Sequence, residues 1–309
     1  MRPGVRLVLT RSPDRVGAWA TAFQAAGAQV LLCPLIDFES VPVAGGSTGA
    51  SDEGFSLEPL RAGRYDWLVI SSITTVRALK AAAAGAPLTE LIPPTTRIAT
   101  IGPSSRRVLE AEGLQVDLAP DGEQSAEGLV AVLPALEGQC VWLPQSDLAA
   151  PLLAEGLAAR GATVEASTVY RTVDYPAAVE RRLVEPLAVS HTSDPEAPSL
   201  PLLSVAELRS LMRAGGAEAI LAASPSAAQR LAQVIAPLGG AALGGTALIA
   251  IGSPTARAAH TAGLHVAATA SQPTAEGVLD ALARLFPADP EISAATQASE
   301  REIHPKGTP

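Results

Sequence analysis

Residues 97–116 read RIATIGPSSRRVLEAEGLQV, and residues 247–266 read ALIAIGSPTARAAHTAGLHV. At a constant offset of 150, six of the twenty positions are identical: Ile101/Ile251, Gly102/Gly252, Arg107/Arg257, Gly113/Gly263, Leu114/Leu264 and Val116/Val266. Each copy is an apolar run, a Gly turn with Ser or Thr, and an amphipathic stretch ended by glycine. That is the grammar of strand, turn and helix. Self-similarity at this spacing is the mark of a duplicated unit. Three weaker correspondences support it. Ala126-Glu127-Gly128 matches Ala275-Glu276-Gly277, Gly27-Ala28-x-Val30 matches Gly161-Ala162-x-Val164, and Ser72 and Ser224 follow similar apolar runs. Taken as running in one order, the four predict two similar α/β domains.

The same grammar extends along the chain. Strands are predicted at 6–10, 29–32, 67–71, 98–101, 116–118, 141–143, 163–169, 219–223, 248–251 and 266–268. Helices are predicted at 14–26, 74–84, 104–112, 126–136, 148–160, 226–235, 254–262 and 275–285. Strands alternating with helices imply parallel sheets covered on both faces. Three stretches break the pattern: Gly/Ser-rich 44–56, Pro/Ser-rich 186–202 and the polar tail 287–309. These are expected to be flexible inserts and a disordered tail, dispensable for chemistry.

Composition narrows the function. The 309 residues carry a net charge of -9, 48% hydrophobic residues and only 3% aromatics. An acidic chain lacks the basic face that nucleic acid requires, and few aromatics leave little for base stacking. Two cysteines, Cys33 and Cys140, cannot form a disulfide framework or a four-thiolate zinc site. The apolar run Val5–Leu9 is too short for a signal peptide, and no run spans a bilayer, so the chain reads as cytoplasmic with no membrane partner. Lys80 and Lys306 are the only lysines among 22 basic residues, so 20 are arginine. GC-rich coding accounts for that bias, and the arginines stay available to acidic ligands.

Dinucleotide, P-loop and nucleophile-elbow signatures are missing, and His191, His260, His265 and His304 have no metal-ligand spacing. What remains is a set of strand–turn–helix junctions rich in small hydroxyls. They are Ser71-Ser72, Gly102-Pro103-Ser104-Ser105, Ser224-Pro225-Ser226 and Gly252-Ser253-Pro254-Thr255. Each lies at the C-terminal end of a strand, where open parallel sheets bind ligands. Each also opens a helix, whose free N–H groups attract anions. Plain N-capping explains any one of them. Four junctions in repeated domains shift the reading towards a polyanion site. Tyr170, in Val169-Tyr170-Arg171-Thr172, is read either as a packing tyrosine or as a cleft phenol that donates a proton.

These segments together resemble the uroporphyrinogen-III synthase family. The resemblance is carried by Arg6–Thr10 with Gly27-Ala28, Cys33-Pro34-Leu35-Ile36, and Tyr65-Asp66-Trp67 leading to Ser71-Ser72. It continues through Ile101-Gly102-Pro103, Val169–Thr172, Ser224–Ser226, Ile251–Ala256 and Gln272–Gly277, and covers about Arg6 to Leu285.

The resemblance implies an α/β fold of two similar lobes, each a parallel sheet of flavodoxin-like topology flanked by helices. Two extended segments, about 35–41 and 168–174, would link the lobes. The implied boundaries are 1–36 with 173–286 for the first lobe and 37–172 for the second. The residues alone fit two consecutive halves equally well.

The implied reaction closes hydroxymethylbilane to uroporphyrinogen III, with loss of water and inversion of ring D. It needs no cofactor and no metal. Tyr170 matches the family's cleft tyrosine, and Ser72, Ser104, Ser224, Ser226 and Thr255 would bind substrate. A monomer, supplied by transient hand-over from hydroxymethylbilane synthase, is implied. Ile73-Thr74-Thr75 and Pro144-Gln145-Ser146 depart from the family pattern, the latter standing where many relatives have Arg-Gly. A non-catalytic two-lobed protein that binds small anions or regulates is the competing reading.

Overall fold

The structure, a computed structural model, describes residues 1–44, 54–188, 200–238 and 245–288. In chain order the strands are β1 (Arg6–Leu9), β2 (Gln29–Leu32), β3 (Ile36–Ser40), β4 (Trp67–Ile70) and β5 (Arg97–Thr100). They continue with β6 (Cys140–Ser146), β7 (Thr163–Asp174), β8 (Ala219–Ala222), β9 (Ala247–Ala250) and β10 (Ala268–Thr269). The helices are α1 (Gly17–Ala25), α2 (Glu58–Arg61), α3 (Ile73–Ala82), α4 (Leu88–Leu91), α5 (Pro103–Ala111) and α6 (Ala126–Val132). After them come α7 (Leu152–Ala159), α8 (Val205–Arg213), α9 (Pro225–Ile235), α10 (Ser253–Thr261) and α11 (Ala275–Leu285). Among the described residues, no helix is long and apolar enough to cross a membrane.

The chain divides into two compact units, residues 1–36 with 195–309 and residues 37–194. In the first unit the strand order is β2-β1-β8-β9-β10, and every neighbouring pair is parallel. Counted along the unit this is 2-1-3-4-5, the flavodoxin-like order. Side-chain alternation splits its core between the two sheet faces. Leu7, Leu9, Leu221 and Ile249 pack with α1 and α11, whereas Val8, Ile220 and Leu248 pack with α8, α9 and α10. The four residues of β8 are all buried, as a central parallel strand requires.

In the second unit the order is β3-β7-β6-β4-β5, with β6·β7, β4·β6 and β4·β5 parallel. Leu68, Ile70, Ile98 and Trp142 pack with α3 and α5 on one face; Trp67, Val69, Ala99 and Leu143 pack with α6 and α7 on the other.

The repeat now takes its structural form. The helix starts pair β4 with β8 and β5 with β9, and Gly161-Ala162 pairs β7 with β2. In space β7-β6-β4-β5 therefore matches β2-β1-β8-β9. Each unit has its own sheet of the same spatial order, but the chain enters the two sheets at different strands. The four correspondences run in one order along the chain, but within the two units they are circularly permuted, because Gly27-Ala28 opens the first unit and Gly161-Ala162 falls late in the second.

Several expected elements differ, each for a local reason. The helix expected at 14–26 splits into a 3₁₀ turn at Pro13–Arg15 and α1 from Gly17. The helix expected to reach Leu136 stops at Val132, because Leu133 precedes Pro134 and is extended (ψ 138°). α7 opens only after Pro151. The strand expected at 116–118 shrinks to one bridge, Ala99 to Leu118. β6 runs on through Pro144 because β4 pairs only as far as Trp142, so the missing N–H deprives no neighbour. β3 and α8 are additional, and α8 carries a capping box between Ser204 and Glu207.

The expected boundary at 172/173 moves to 194/195. β7 continues to Asp174, and the segment after it stays on the second unit. Leu183 N–H donates to Phe38 O (2.8 Å), Arg182 Nε to Asp37 Oδ2 (2.7 Å) and Ala188 N–H to Glu112 Oε1 (2.7 Å). The expected inserts are anchored at their ends. Phe55 is buried and bridges Val43, Leu187 is buried, and Leu202 bridges Leu32. Residues 45–53, 189–199 and the tail from 289 lie outside the described residues.

Candidate functional site

Each hydroxyl junction is built by its own strand end. In the second unit, β4 delivers Ser72 to the start of α3, where Ser72 Oγ accepts from Thr74 N–H (3.1 Å). In the first unit, β8 delivers Ser224 to α9. Its Oγ accepts from Ala227 N–H (3.1 Å) and lies 3.1 Å from Ser226 Oγ. The capping explanation therefore holds for Ser72 and Ser224. Both remain partly exposed, and accepting the cap bond leaves the Ser72 hydroxyl hydrogen, and one of the two in the Ser224–Ser226 pair, to donate to an anionic ligand.

The glycine junctions work differently. Gly102 and Gly252 occupy the N-cap positions of α5 and α10 with extended backbone and no side-chain cap. Their first-turn N–H groups are not closed by a cap side chain. Thr255 stands at the third residue of α10 and is buried. The repeat register pairs it with Ser105, also buried, and pairs Ser104 with Pro254. Ser104 itself is exposed at the second residue of α5. Ser105 is thus a junction residue that the permuted repeat finds and the substrate-residue reading passed over.

Tyr170 lies on β7 and is 6% exposed. Its ring meets Phe38 of β3 edge-on, with centroids 5.7 Å apart. α3, the helix capped by Ser72, packs against β7. Tyr170 and Ser72 therefore belong to one unit, together with Ser104. Ser224, Ser226 and Thr255 belong to the other.

Beside Tyr170 the register slips at Gln145/Ser146, and the slip gathers polar groups. Ser146 Oγ lies 2.9 Å from Asp147 Oδ1 and 3.0 Å from Thr172 Oγ1, and Thr172 N–H donates to Asp147 Oδ1 (2.9 Å). The departure at Pro144-Gln145-Ser146 is thus the end of a strand, closed by a local hydrogen-bond network. Among the described residues, no group of three or more His, Cys, Asp or Glu is arranged to hold a metal ion.

The family model described as "Uroporphyrinogen-III synthase HemD" matches residues 17–280. The chain belongs to the uroporphyrinogen-III synthase family. This family membership accords with the paired parallel sheets described above. A protein of Methanothermobacter thermautotrophicus named "Putative uroporphyrinogen-III synthase" is 29% identical over 168 residues. That match covers 54% of this chain and 62% of the relative's length. A mutant uroporphyrinogen III synthase of Thermus thermophilus superposes with a TM-score of 0.59 at 21% identity, covering 92% of this chain and 99% of that one. The Helicobacter pylori uroporphyrinogen-III synthetase superposes with a TM-score of 0.52 at 16% identity, covering 92% and 100%. At such identities the two structures speak for the fold of the uroporphyrinogen-III synthase family.

Proposed function

We propose that this protein is a uroporphyrinogen-III synthase, a lyase that closes hydroxymethylbilane to uroporphyrinogen III. The observation that carries the reading is the family match over residues 17–280, on a chain whose two units hold related, circularly permuted sheets. The substrate loses its terminal hydroxyl as water, leaving an azafulvenium cation. Carbon–carbon bond formation with ring D inverted then closes the macrocycle, and a proton leaves. The cation is stabilised by the pyrrole nitrogens, so weak acid assistance suffices.

The protein's main task is to hold a flexible chain in the conformer that inverts, because unassisted closure gives the uninverted isomer. That is catalysis by orientation, and it suits a site of caps and hydroxyls without a strong acid–base pair. Ser72, Ser104, Ser224, Ser226 and Thr255 are assigned to the substrate's carboxylates, and Tyr170 to the departing hydroxyl. The enzyme works as a cytoplasmic monomer that takes its substrate by transient hand-over from hydroxymethylbilane synthase.

The test is to generate hydroxymethylbilane in the presence of the protein, oxidise the products and separate the uroporphyrin isomers. Isomer III is expected in clear excess over a protein-free control. Isomer I alone would sink the reading and leave the non-catalytic anion binder. Tyr170→Phe is expected to lower turnover by about 10²-fold, in the range of a lost proton donor, with unchanged thermal unfolding. Wild-type turnover in that variant would remove the phenol from the reaction.

A further inference from the structure

The most unusual cation of the described residues is Arg11. It follows Thr10 at the C-terminal end of β1, where Thr10 Oγ1 donates to Leu221 O of β8 (2.8 Å). Most arginines here are matched by an acceptor: Arg6 by Glu218, Arg64 by Glu165, Arg160 by Leu133 O and Arg209 by Val234 O. Arg11 makes no ion pair and no hydrogen bond among the described residues. Arg107, Arg213 and Arg284 share that lack but are exposed, as ordinary solvated side chains are. Arg11 instead is largely covered, its guanidinium 4.8 Å from the centre of the Trp19 ring. Trp19 is held edge-on by the buried Phe23 (5.9 Å). A guanidinium stacked on a fixed indole keeps its in-plane N–H groups free.

The surroundings raise the cost of leaving it unpaired. Burial, and then the neighbouring Arg15 guanidinium, lower the Arg11 pKa to about 10. The site therefore stays cationic at neutral pH while lacking a counter-ion. The carboxylate beside it, Asp14, is turned to Arg15 at 3.5 Å.

Position supplies the second argument. β1 and β8 are neighbours, and their helices leave to opposite faces. α1 packs with Leu7 and Leu9, and α9 with Val8 and Ile220. The C-terminal ends of β1 and β8 are therefore the topological switch point of a 2-1-3-4-5 sheet, the place where open α/β sheets bind ligands. Arg11 leaves one strand there and Ser224 with Ser226 leaves the other. We propose that Arg11, stacked on Trp19 and backed by Arg15, seats a carboxylate side arm of the tetrapyrrole at this switch point. The proposal rests on the synthase reading for the identity of the ligand.

Uroporphyrin III, the stable octacarboxylate formed by oxidising the product, is the probe, with its octamethyl ester as control. Binding is followed by porphyrin fluorescence, and isomer formation is assayed in parallel. Arg11→Gln is expected to weaken uroporphyrin III binding by about 10- to 100-fold, the worth of a charge-assisted pair. The same variant should raise KM by a similar factor with a smaller change in kcat. Arg11→Lys keeps the charge but loses the fork, so a several-fold loss is expected. If Arg11→Gln does not fold, Arg11→Lys decides.

Unchanged binding in a folded variant overturns the seat. So does failure of the wild type to bind uroporphyrin III, or equal affinity for the ester. Wild-type protein that binds uroporphyrin III through Arg11 but forms only isomer I would overturn the synthase reading and keep the seat.

Discussion

Gly128→Ala and Gly277→Ala are each expected to cost about 3 kcal/mol of stability, the upper range for forced overpacking. A Cβ at Gly128 would stand 1.8 Å from Glu123 O, and one at Gly277 would stand 2.3 Å from Gln272 O. Both contacts are with backbone, so no flexible side chain can yield. Nor is the backbone free to retreat. Gly128 N–H donates to Ser125 Oγ (3.0 Å) and Gly277 N–H to Thr274 Oγ1 (3.2 Å), the caps that start α6 and α11. Relieving the clash therefore pulls each helix off its cap, which adds about 1 kcal/mol. Gly122→Ala is the control, because its Cβ would meet nothing within 4 Å. Urea titrations of the three variants check this. A loss below about 1 kcal/mol at Gly128 and Gly277 would mean that the cap loops rearrange at little cost.

The same pair shows what a reader of the sequence can and cannot see. Ala126-Glu127-Gly128 and Ala275-Glu276-Gly277 are visible as a repeat, and the reason for their glycines is local, within five residues. Strand–turn–helix junctions are likewise local, so β4 to α3 and β8 to α9 are legible from composition and caps. Even the failures at Val132 and Pro151 trace to prolines a few residues away.

The permutation is not local. Nothing within residues 97–116 tells whether β5 lies beside β4 at the sheet edge or elsewhere. β3 enters the sequence reading only as an extended link of about 35–41 implied by the resemblance, and its burial is not legible there. Ile36-Asp37-Phe38-Glu39-Ser40 places carboxylates at alternate positions, yet Asp37 is 1% and Glu39 8% exposed. Their partners come from residues 177–182.

Arg11 follows the same logic. Among 20 arginines it is one of many, and only the folded strand end and the Trp19 ring distinguish it. Tyr170 could be picked out by family resemblance. Its packing against Phe38 depends on β3 and was not visible in its own neighbourhood.

Arg182→Met is expected to destabilise the unit of residues 37–194 by about 3–5 kcal/mol, the cost of leaving a buried charge without its partner. Asp37 Oδ2 accepts from Arg182 Nε (2.7 Å) and from Ala177 N–H (3.2 Å), and Oδ1 accepts from its neighbour Phe38 N–H (3.0 Å). Removing Arg182 leaves the carboxylate buried with two backbone donors and no cation. Asp37→Asn in the same chain removes the charge but keeps an oxygen for Ala177 N–H. The double variant Asp37→Asn/Arg182→Met should therefore recover most of the loss, giving a large coupling in the mutant cycle.

The adjacent pair behaves otherwise. Arg181 Nε lies 3.3 Å from Glu39 Oε2, but its side chain is 56% exposed. Arg181→Met should cost less than Arg182→Met, because the half-exposed Arg181 guanidinium is screened by solvent, whereas Arg182 is more covered. The loss from Arg182→Met should also appear selectively. Hydrogen exchange should rise in β3, in the end of β7 and at Leu183, whose N–H donates to Phe38 O (2.8 Å). β1, β8 and β9 belong to the other unit and should keep their protection. Equal loss of protection in both sheets, or a double variant no more stable than Arg182→Met alone, would show that this ion pair does not hold the segment after β7 to its unit.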